Sequence, residues 1–351
     1  MEKVRLGRTN LMVSNIGFGG IPIQRLTEAE TIAVVRRALD LGVNFIDTAN
    51  NYTTSEERIG KAIKGSREKV IVATKSGSRD PAELSRHLEL SLKRLDTDYV
   101  DICQFHGISD FASLDKILAP GGAMETVVKA QSKGIVHHIG LSSHQLDVAL
   151  KAAASGCFET IMFPFNFISS EAADKLIPLC RKMDVGFICM KPMAGGMVDN
   201  ANIAIKYLRQ FPDIVPIPGI EKIAEIEEIV NIMQGPAQMT AAEKREMTHI
   251  KETLGAHFCH RCVYCQPCTM KIPISTVLTH QSAYRRLPPA RFFSAPLGEP
   301  IEKATECSDC GECEQRCPYH LPIRKLLKEQ ITWYRGLKRE YEKQCAGSSL
   351  K

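Results

Sequence analysis

The sequence offers no segment built to leave water. Its first residues, Met1-Glu2-Lys3-Val4-Arg5, contain no apolar core of the kind that opens an export signal. No apolar run approaches the ~20 residues needed to cross a bilayer. No basic run with interleaved aromatics occurs either, so a net charge of +5 does not argue for nucleic acid. Also missing is the glycine fingerprint of an open dinucleotide-binding sheet, because the first apolar segment runs instead into Gly17-Phe18-Gly19-Gly20. Together these absences predict a cytoplasmic protein with neither a membrane nor a nucleic acid as partner. With 351 residues, 44% hydrophobic and 24% charged, the chain has room for one large globular domain and a small one.

Cysteine, by contrast, is abundant and clustered. Of thirteen, eight fall in two runs: Cys259-x2-Cys262-x2-Cys265-x2-Cys268 and Cys307-x2-Cys310-x2-Cys313-x3-Cys317-Pro318. The second run has the ligand spacing of bacterial two-cluster ferredoxins, and such density suits the corners of an iron–sulfide cubane. Structural zinc takes its ligands as two separated pairs, and disulfides need an oxidising compartment, so both are weaker alternatives. In two-cluster ferredoxins the fourth cysteine of a run serves the other cluster. That rule assigns Cys259, Cys262, Cys265 and Cys317 to one [4Fe-4S] cluster, and Cys268, Cys307, Cys310 and Cys313 to the second. The first run departs from the pattern, with Cys268 only three positions after Cys265 and Thr269 in place of proline. Cys103, Cys157, Cys180 and Cys189 lie in or beside apolar segments and are expected in the core, while Cys345 in the polar tail is expected as a plain thiol.

Up to about residue 235, short apolar runs alternate with amphipathic patterns. Strands are expected at 16–19, 43–47, 70–75, 99–104, 138–142, 160–163, 186–190 and 214–217, with helices between them, such as 30–41, 82–95 and 146–154. Eight strand–helix units in this length fit a closed parallel (β/α)8 barrel, a TIM barrel of the α/β class. In such a barrel the C-terminal strand ends form the functional face, which brings Asp47, Tyr52, Lys75 and His106 together despite their separation in sequence.

The segments Leu6-Gly7-Arg8-Thr9-Asn10, Asn44 through Tyr52, Ser55 through Gly60, Ala73-Thr74-Lys75 and Gln104-Phe105-His106 occur in this order, and residues 1–235 thereby resemble the aldo-keto reductase family. With its cysteine runs the whole chain resembles the subgroup of that family carrying a C-terminal ferredoxin-type domain. The resemblance implies an oxidoreductase acting on a small carbonyl compound or alcohol. It implies that Asp47, Tyr52, Lys75 and His106 form the catalytic tetrad. Hydride addition to a carbonyl leaves an alkoxide that needs a proton, and a free tyrosine, titrating near 10, gives one poorly at neutral pH. An ammonium beside the phenol favours phenolate. Asp47 is expected to hold Lys75, and His106 to orient the substrate oxygen.

The cofactor pocket implied by the resemblance comprises Gly20, Ser142, Ser143, Met162, Met190, Lys191, Gly219 and Glu225, with His144 nearby. Ser143 stands where the family has asparagine, Met162 where many members have glutamine, and Met190 where a tyrosine stacks on the nicotinamide. Relatives that use NADP place a lysine and an arginine after the last strand; here those positions look like Gly219 and Glu225. A carboxylate there would repel a phosphate, so NAD(H) or a flavin is expected in the barrel and NADP is disfavoured. A hydride carries two electrons and a cluster one, and a flavin is a good junction between them. Three functions follow: a carbonyl/alcohol oxidoreductase passing electrons through its clusters, a plain NAD-dependent reductase whose clusters are structural, and an electron-carrying subunit with an idle barrel.

Residues 236–258 read as a helical tether, 259–323 as the mainly helical two-cluster domain, and 324–351 as a basic helix and tail. A helix is expected over 274–284 and a turn at Leu287-Pro288-Pro289. The last helix carries Arg324, Lys325, Lys328, Arg335, Lys338, Arg339 and Lys343. These read either as a solvated face paired with Glu329, Glu340 and Glu342, or as a docking surface for an acidic electron carrier such as a ferredoxin or flavodoxin. His257, His260 and His320 flank cysteines and are expected beside, not on, the iron.

Overall fold

A computed structural model describes residues 1–348 and divides into two compact units, Met1–Met247 and Thr248 onward. The first opens with an antiparallel hairpin, β1 (Lys3–Arg5) against β2 (Met12–Ser14). Strands of three residues have too little periodicity to announce themselves, so this hairpin was not expected. Eight parallel strands follow: β3 (Phe18–Gly19), β4 (Phe45–Asp47), β5 (Ile71–Ser76), β6 (Val100–Phe105), β7 (Val136–Ser142), β8 (Thr160–Pro164), β9 (Gly186–Met190) and β10 (Ile214–Ile217). Each pairs with the next in sequence order. A bridge between Gly19 and Gly219 closes the sheet on itself. Gly17 N–H donates to the Pro216 carbonyl and Gly19 N–H to that of Pro218, both at 2.8 Å.

The helices begin where local chemistry starts them. Thr27 caps the helix Glu28–Asp40, with Glu30 bonding back to the Thr27 N–H. Asp80 accepts from the Glu83 N–H, and Pro81 opens the helix Pro81–Leu95. The barrel interior is filled by Phe45, Ala73, Ile102, Met162, Ile188, Val215 and Ile217. Leu6 and Val13 of the hairpin segment join that cluster, and Leu6 presses against Gly186 at the start of β9, so the N-terminal end of the barrel is plugged. The opposite end is left for chemistry.

The helix Ala241–Gly255 carries the chain onward; its Glu243 bonds Lys206 at 2.6 Å and Asn202 within the first unit. In the second unit the expected helix over 274–284 is two short ones, Ile274–Leu278 and His280–Tyr284, meeting at Thr279. Pro289 starts a further turn of helix, Pro289–Phe292, because proline fits a first helical position. The long helix Ile323–Ser348 gathers the core, in which Val277, Phe292, Ile301, Leu327 and Tyr334 are buried together with Cys265, Cys313 and Cys317. Four of its basic residues are paired: Arg324 with Glu314, Lys328 with Asp309, Arg335 with Glu302 and Lys325 with Glu329. Three of those four carboxylates come from outside the helix. Among the other cysteines, Cys103, Cys180 and Cys189 are buried as expected, but Cys157 is exposed, in the turn that follows Gly156.

Closure of the barrel yields a direct test. A methyl group at position 19 would meet the carbonyl oxygens of Ile217 and Pro218, each at 2.8 Å. Gly19→Ala should therefore cost about 1–3 kcal/mol, read as a lower midpoint in denaturant unfolding of the whole chain; an unchanged midpoint would mean the seam yields freely.

Candidate active site

Asp47 is the last residue of β4 and Lys75 lies near the end of β5, on neighbouring strands. Both side chains are buried, at 3% and 2% exposure. Their charges meet at 2.6 Å between Lys75 Nζ and Asp47 Oδ2, and Nζ also donates to the Thr48 carbonyl. The loop after β4 brings Tyr52 back over this pair. Asn50 N–H donates to the Lys75 carbonyl, and Tyr52 N–H to that of Ala49. Arg94 clamps the loop from behind, bonding the Asn50 carbonyl at 2.8 Å and the buried Glu56 carboxylate, which also accepts from Thr74 Oγ1. As a result Lys75 Nζ lies 4.9 Å from the centre of the Tyr52 ring.

His106 follows β6 and is tied by its N–H to the Ser76 carbonyl. Its ring meets Tyr52 edge to face, centroids 5.7 Å apart. The next residue, Gly107, has a φ of 65°, and this left-handed turn sends its N–H to Ser142 Oγ and its carbonyl to Arg79. The four expected side chains thus converge at one mouth of the barrel.

The electrostatics of this group follow from burial. Burial opposes the ammonium of Lys75, but Asp47 and Tyr52 outweigh it and hold its pKa above the ordinary lysine value. Burial raises the Asp47 carboxyl against the pull of Lys75. His106 is pushed down to about 3, by burial first and then by the charges of Lys75 and Arg79. Its imidazole is therefore neutral at physiological pH, with one ring N–H to donate.

The expected cofactor residues divide. Ser142 Oγ accepts the Gly107 N–H at 2.9 Å and keeps its own proton to give, and Met190 is half-buried at the end of β9. Lys191 takes a left-handed backbone, and its carbonyl accepts from Asn166. These fit a carboxamide and a ring face. The others are engaged in holding the fold. The Ser143 hydroxyl donates to the Ile108 carbonyl at 2.7 Å, and Met162 is part of the barrel interior. Gly20 is locked between the Asp47 carbonyl and Ser55, and Gly219 belongs to the closing seam, where a side chain would strike Pro22. Glu225 bonds the N–H groups of Glu221 and Lys222 at 2.8 and 3.1 Å, capping the helix Ile223–Gln234. The disfavouring of NADP rested on a free carboxylate at Glu225, and that carboxylate is occupied.

Among the described residues of the second unit no cysteine is in a disulfide. Cys268, Cys307, Cys310 and Cys313 line one cavity with Thr269 and Gly311. Cys259 has Cys262 and Cys317 among the groups acting on it, and Cys265 is raised to about 12 by burial and by Cys259 and Cys262. The His260 ring stacks on Tyr319 at 3.7 Å, fastening the first run to the end of the second. Arg261, Val263, Asp309 and Gly311 all have positive φ, which curls the two cysteine loops. Thiols gathered in two sets, three of them buried and none in a disulfide, fit two cubanes. Among the described residues no three His, Cys, Asp or Glu side chains close on a single-ion site.

Sequence reasoning missed Arg79, Glu56 and Arg94. Glu56 stood only inside a motif, and neither arginine carries a pattern that ties it to the barrel mouth.

The His106 environment sets a pH signature. Its folded pKa lies below the unfolded value of ~6.5, so the unfolded chain binds the proton better between ~6.5 and about 3. The stability associated with neutral His106 is whole above that window and falls as pH drops through it. His106→Asn should flatten the dependence of urea-unfolding stability between pH 6.5 and 5 relative to the parent protein; parallel curves would refute the depressed titration.

Comparison with known proteins agrees with the fold and with an iron–sulfur domain in the second unit. Residues 15–211 match the model of the aldo/keto reductase family, and residues 258–322 that of a 4Fe-4S dicluster domain. L-galactose dehydrogenase of Arabidopsis thaliana is 32% identical over 217 residues, covering 56% of this chain and 67% of that protein. The holo form of an aldo-keto reductase from Bacillus halodurans superposes with a TM-score of 0.62 at 22% identity, covering 71% of this chain and 96% of that one. An aldo-keto reductase from Klebsiella pneumoniae in complex with NADPH gives 0.61 at 20% identity, covering 71% and 95%. The expectation that NADP is disfavoured finds no support in such a neighbour, and it is withdrawn. On the family match and the barrel it describes, the chain belongs to the aldo/keto reductase family, as an oxidoreductase that also carries a 4Fe-4S dicluster domain.

Proposed function

We propose that the chain interconverts a small carbonyl compound and its alcohol at the barrel mouth, and that electrons of this reaction pass through its two [4Fe-4S] clusters. The observation that carries the first half is the buried Lys75–Asp47 pair with Tyr52 against the ammonium. In the reducing direction the neutral His106 ring donates a hydrogen bond to the carbonyl oxygen and fixes its position. Tyr52 gives its phenolic proton to that oxygen as the alkoxide forms, and the Lys75 ammonium stabilises the phenolate left behind. Asp47 keeps Lys75 charged and in place. A nicotinamide against Ser142 and Met190 supplies the hydride when bound. Whether that dinucleotide bears a 2′-phosphate is a matter for the titration below. In the oxidising direction the same phenolate takes the alcohol proton.

The second half rests on the eight thiols in two sets. Eight cysteines satisfy two cubanes, and two cubanes could together hold the two electrons of one hydride once a flavin bound in the barrel had divided it into single electrons and a released proton. The partner we propose is an acidic one-electron carrier meeting Lys338, Arg339 and Lys343, the basic residues of the last helix without an ion pair among the described residues. Since Cys265, Cys313 and Cys317 are also core residues, a purely structural role for the clusters is the second reading.

Two measurements test these halves. Tyr52→Phe should lower turnover of a generic aldehyde by on the order of 10²–10⁴-fold while the iron–sulfur absorbance stays as in the parent; retained turnover would remove Tyr52 as proton donor. An anaerobic visible titration with NADH or NADPH, with and without added FMN, should bleach the cluster absorbance if hydride equivalents reach the iron. A spectrum unchanged under every condition, and unchanged again with reduced ferredoxin, favours the structural reading.

A further inference from the structure

Resting on the carbonyl-reductase reading above, we infer that the barrel mouth selects substrates bearing a carboxylate, and that Arg79 is the residue that binds it. Arg79 sits in the loop after β5, just beyond Lys75. Its guanidinium bridges two loops, donating through Nη1 to the Gly77 carbonyl and through Nη2 to the Gly107 carbonyl at 2.9 Å. Gly107 is the neighbour of His106, the group that orients the carbonyl oxygen. The guanidinium is thereby fixed beside the reacting position by the same residue that shapes it.

Two features make this arginine unusual. It is half-buried, and among the described residues it forms no ion pair with a carboxylate. Asp110 is the acid whose charge acts on it, but both Asp110 oxygens are occupied at the start of the helix Phe111–Leu118, Oδ1 by the Ser113 N–H at 2.7 Å and Oδ2 by the Ser113 hydroxyl at 2.9 Å. Partly buried charges in proteins are ordinarily paired. A guanidinium held through two carbonyls still has donors to offer, in the planar fork that suits a carboxylate.

The charge balance of the mouth points the same way. Asp47 neutralises Lys75 at 2.6 Å, and His106 is uncharged, so the positive charge left at the mouth is that of Arg79, on which Asp110 acts without forming an ion pair. A site with a net cation at its rim concentrates anions and disfavours cations. A carbonyl compound with a carboxylate would place its C=O under Tyr52 and His106 and its anionic end on Arg79. No bond is made or broken at Arg79; its role is recognition.

The test uses a matched pair of probes, 4-carboxybenzaldehyde and methyl 4-formylbenzoate, which differ in charge and hardly in the reacting carbonyl. The holoprotein should prefer the acid, and Arg79→Gln should lower the acid-to-ester ratio of kcat/KM on the order of ten-fold or more, mainly through KM. Arg79→Lys should retain part of the preference. A ratio unmoved by Arg79→Gln overturns the inference while leaving the reductase reading intact. So does a loss of affinity for NADH or NADPH with the ratio preserved, since the anion held would then be a cofactor phosphate. Calorimetry provides the arm that needs no turnover. Binding of 4-(hydroxymethyl)benzoate to the Tyr52→Phe protein should weaken by a similar factor when Arg79→Gln is added. If neither aldehyde reacts yet this binding depends on Arg79, the anion site stands and the reductase reading falls; if the binding ignores Arg79, the anion site falls.

Discussion

A lysine ammonium inside a barrel of hydrocarbon is the feature around which the first unit is organised. Isolated, such a charge would shed its proton, because desolvation disfavours the charged form. It persists because Asp47 occupies the equivalent depth on the adjoining strand and because the Thr48 carbonyl takes a further hydrogen. That arrangement depends on register. Asp47 pairs across the ladder with Ala73, two residues before Lys75, so a one-residue slip of β4 on β5 would turn one of the charges out of the barrel. Register in turn depends on closure, since the sheet has no free edge once Gly19 meets Gly219. The glycines of that seam, which look from sequence like a weak nucleotide loop, are thus needed for the ion pair, and Gly19 stands in direct register with Asp47. The hairpin plug serves the same end by filling the N-terminal mouth with Leu6 and Val13.

The second unit meets a different difficulty. It is small, its helices are short apart from the last, and its core includes thiols that a purely apolar interior would not choose. Burial raises Cys265 and Cys313, so as bare thiols they are inert. Bound iron inverts this logic, because a coordinating thiol is deprotonated outright. The aromatic set around Phe292 and Tyr334 then packs against loops whose shape the cysteines would fix. Small domains that lack core area commonly rely on such staples, and this holds whether or not electrons move through them.

Much of this was legible in the chain, and the reasons differ by region. Buried parallel strands are short, apolar and bounded by turns, so all eight barrel strands could be marked, and strand ends located Asp47, Lys75 and His106. Cysteine spacing is equally direct, since ligand geometry leaves little freedom. The cofactor residues were poorly legible because alignment to a motif gives a position without saying which way the side chain turns. Ser143 faces the Ile108 carbonyl, and Glu225 folds back on its own helix terminus, a local capping competition that a carboxylate three residues into a helix readily wins. Arg79 was invisible for the opposite reason. Its environment is made by Gly77 and Gly107, residues thirty positions apart whose carbonyls converge only in the folded loop pair.

The two directions of the reaction make the same demand on charge. Proton transfer from Tyr52 works best in a site that tolerates phenolate, which the Lys75 ammonium provides and which an additional unpaired cation at Arg79 reinforces. Hydride departure from an alcohol is likewise eased by a phenolate base, so the same electrostatics serve both directions, and the direction of flow must be set elsewhere. On the proposed reading it is set by the clusters. A pair of one-electron centres that empties to an acceptor of higher potential draws the reaction toward the carbonyl; filled from a donor of low potential, the pair drives it toward the alcohol. The barrel then acts as a reversible converter whose bias is the potential of the second unit, and burial of thiols, hydrogen bonds to sulfur and solvent exposure are the means by which that potential is tuned. Cys310, exposed, and Cys313, buried, give one thiol set both kinds of environment within four residues.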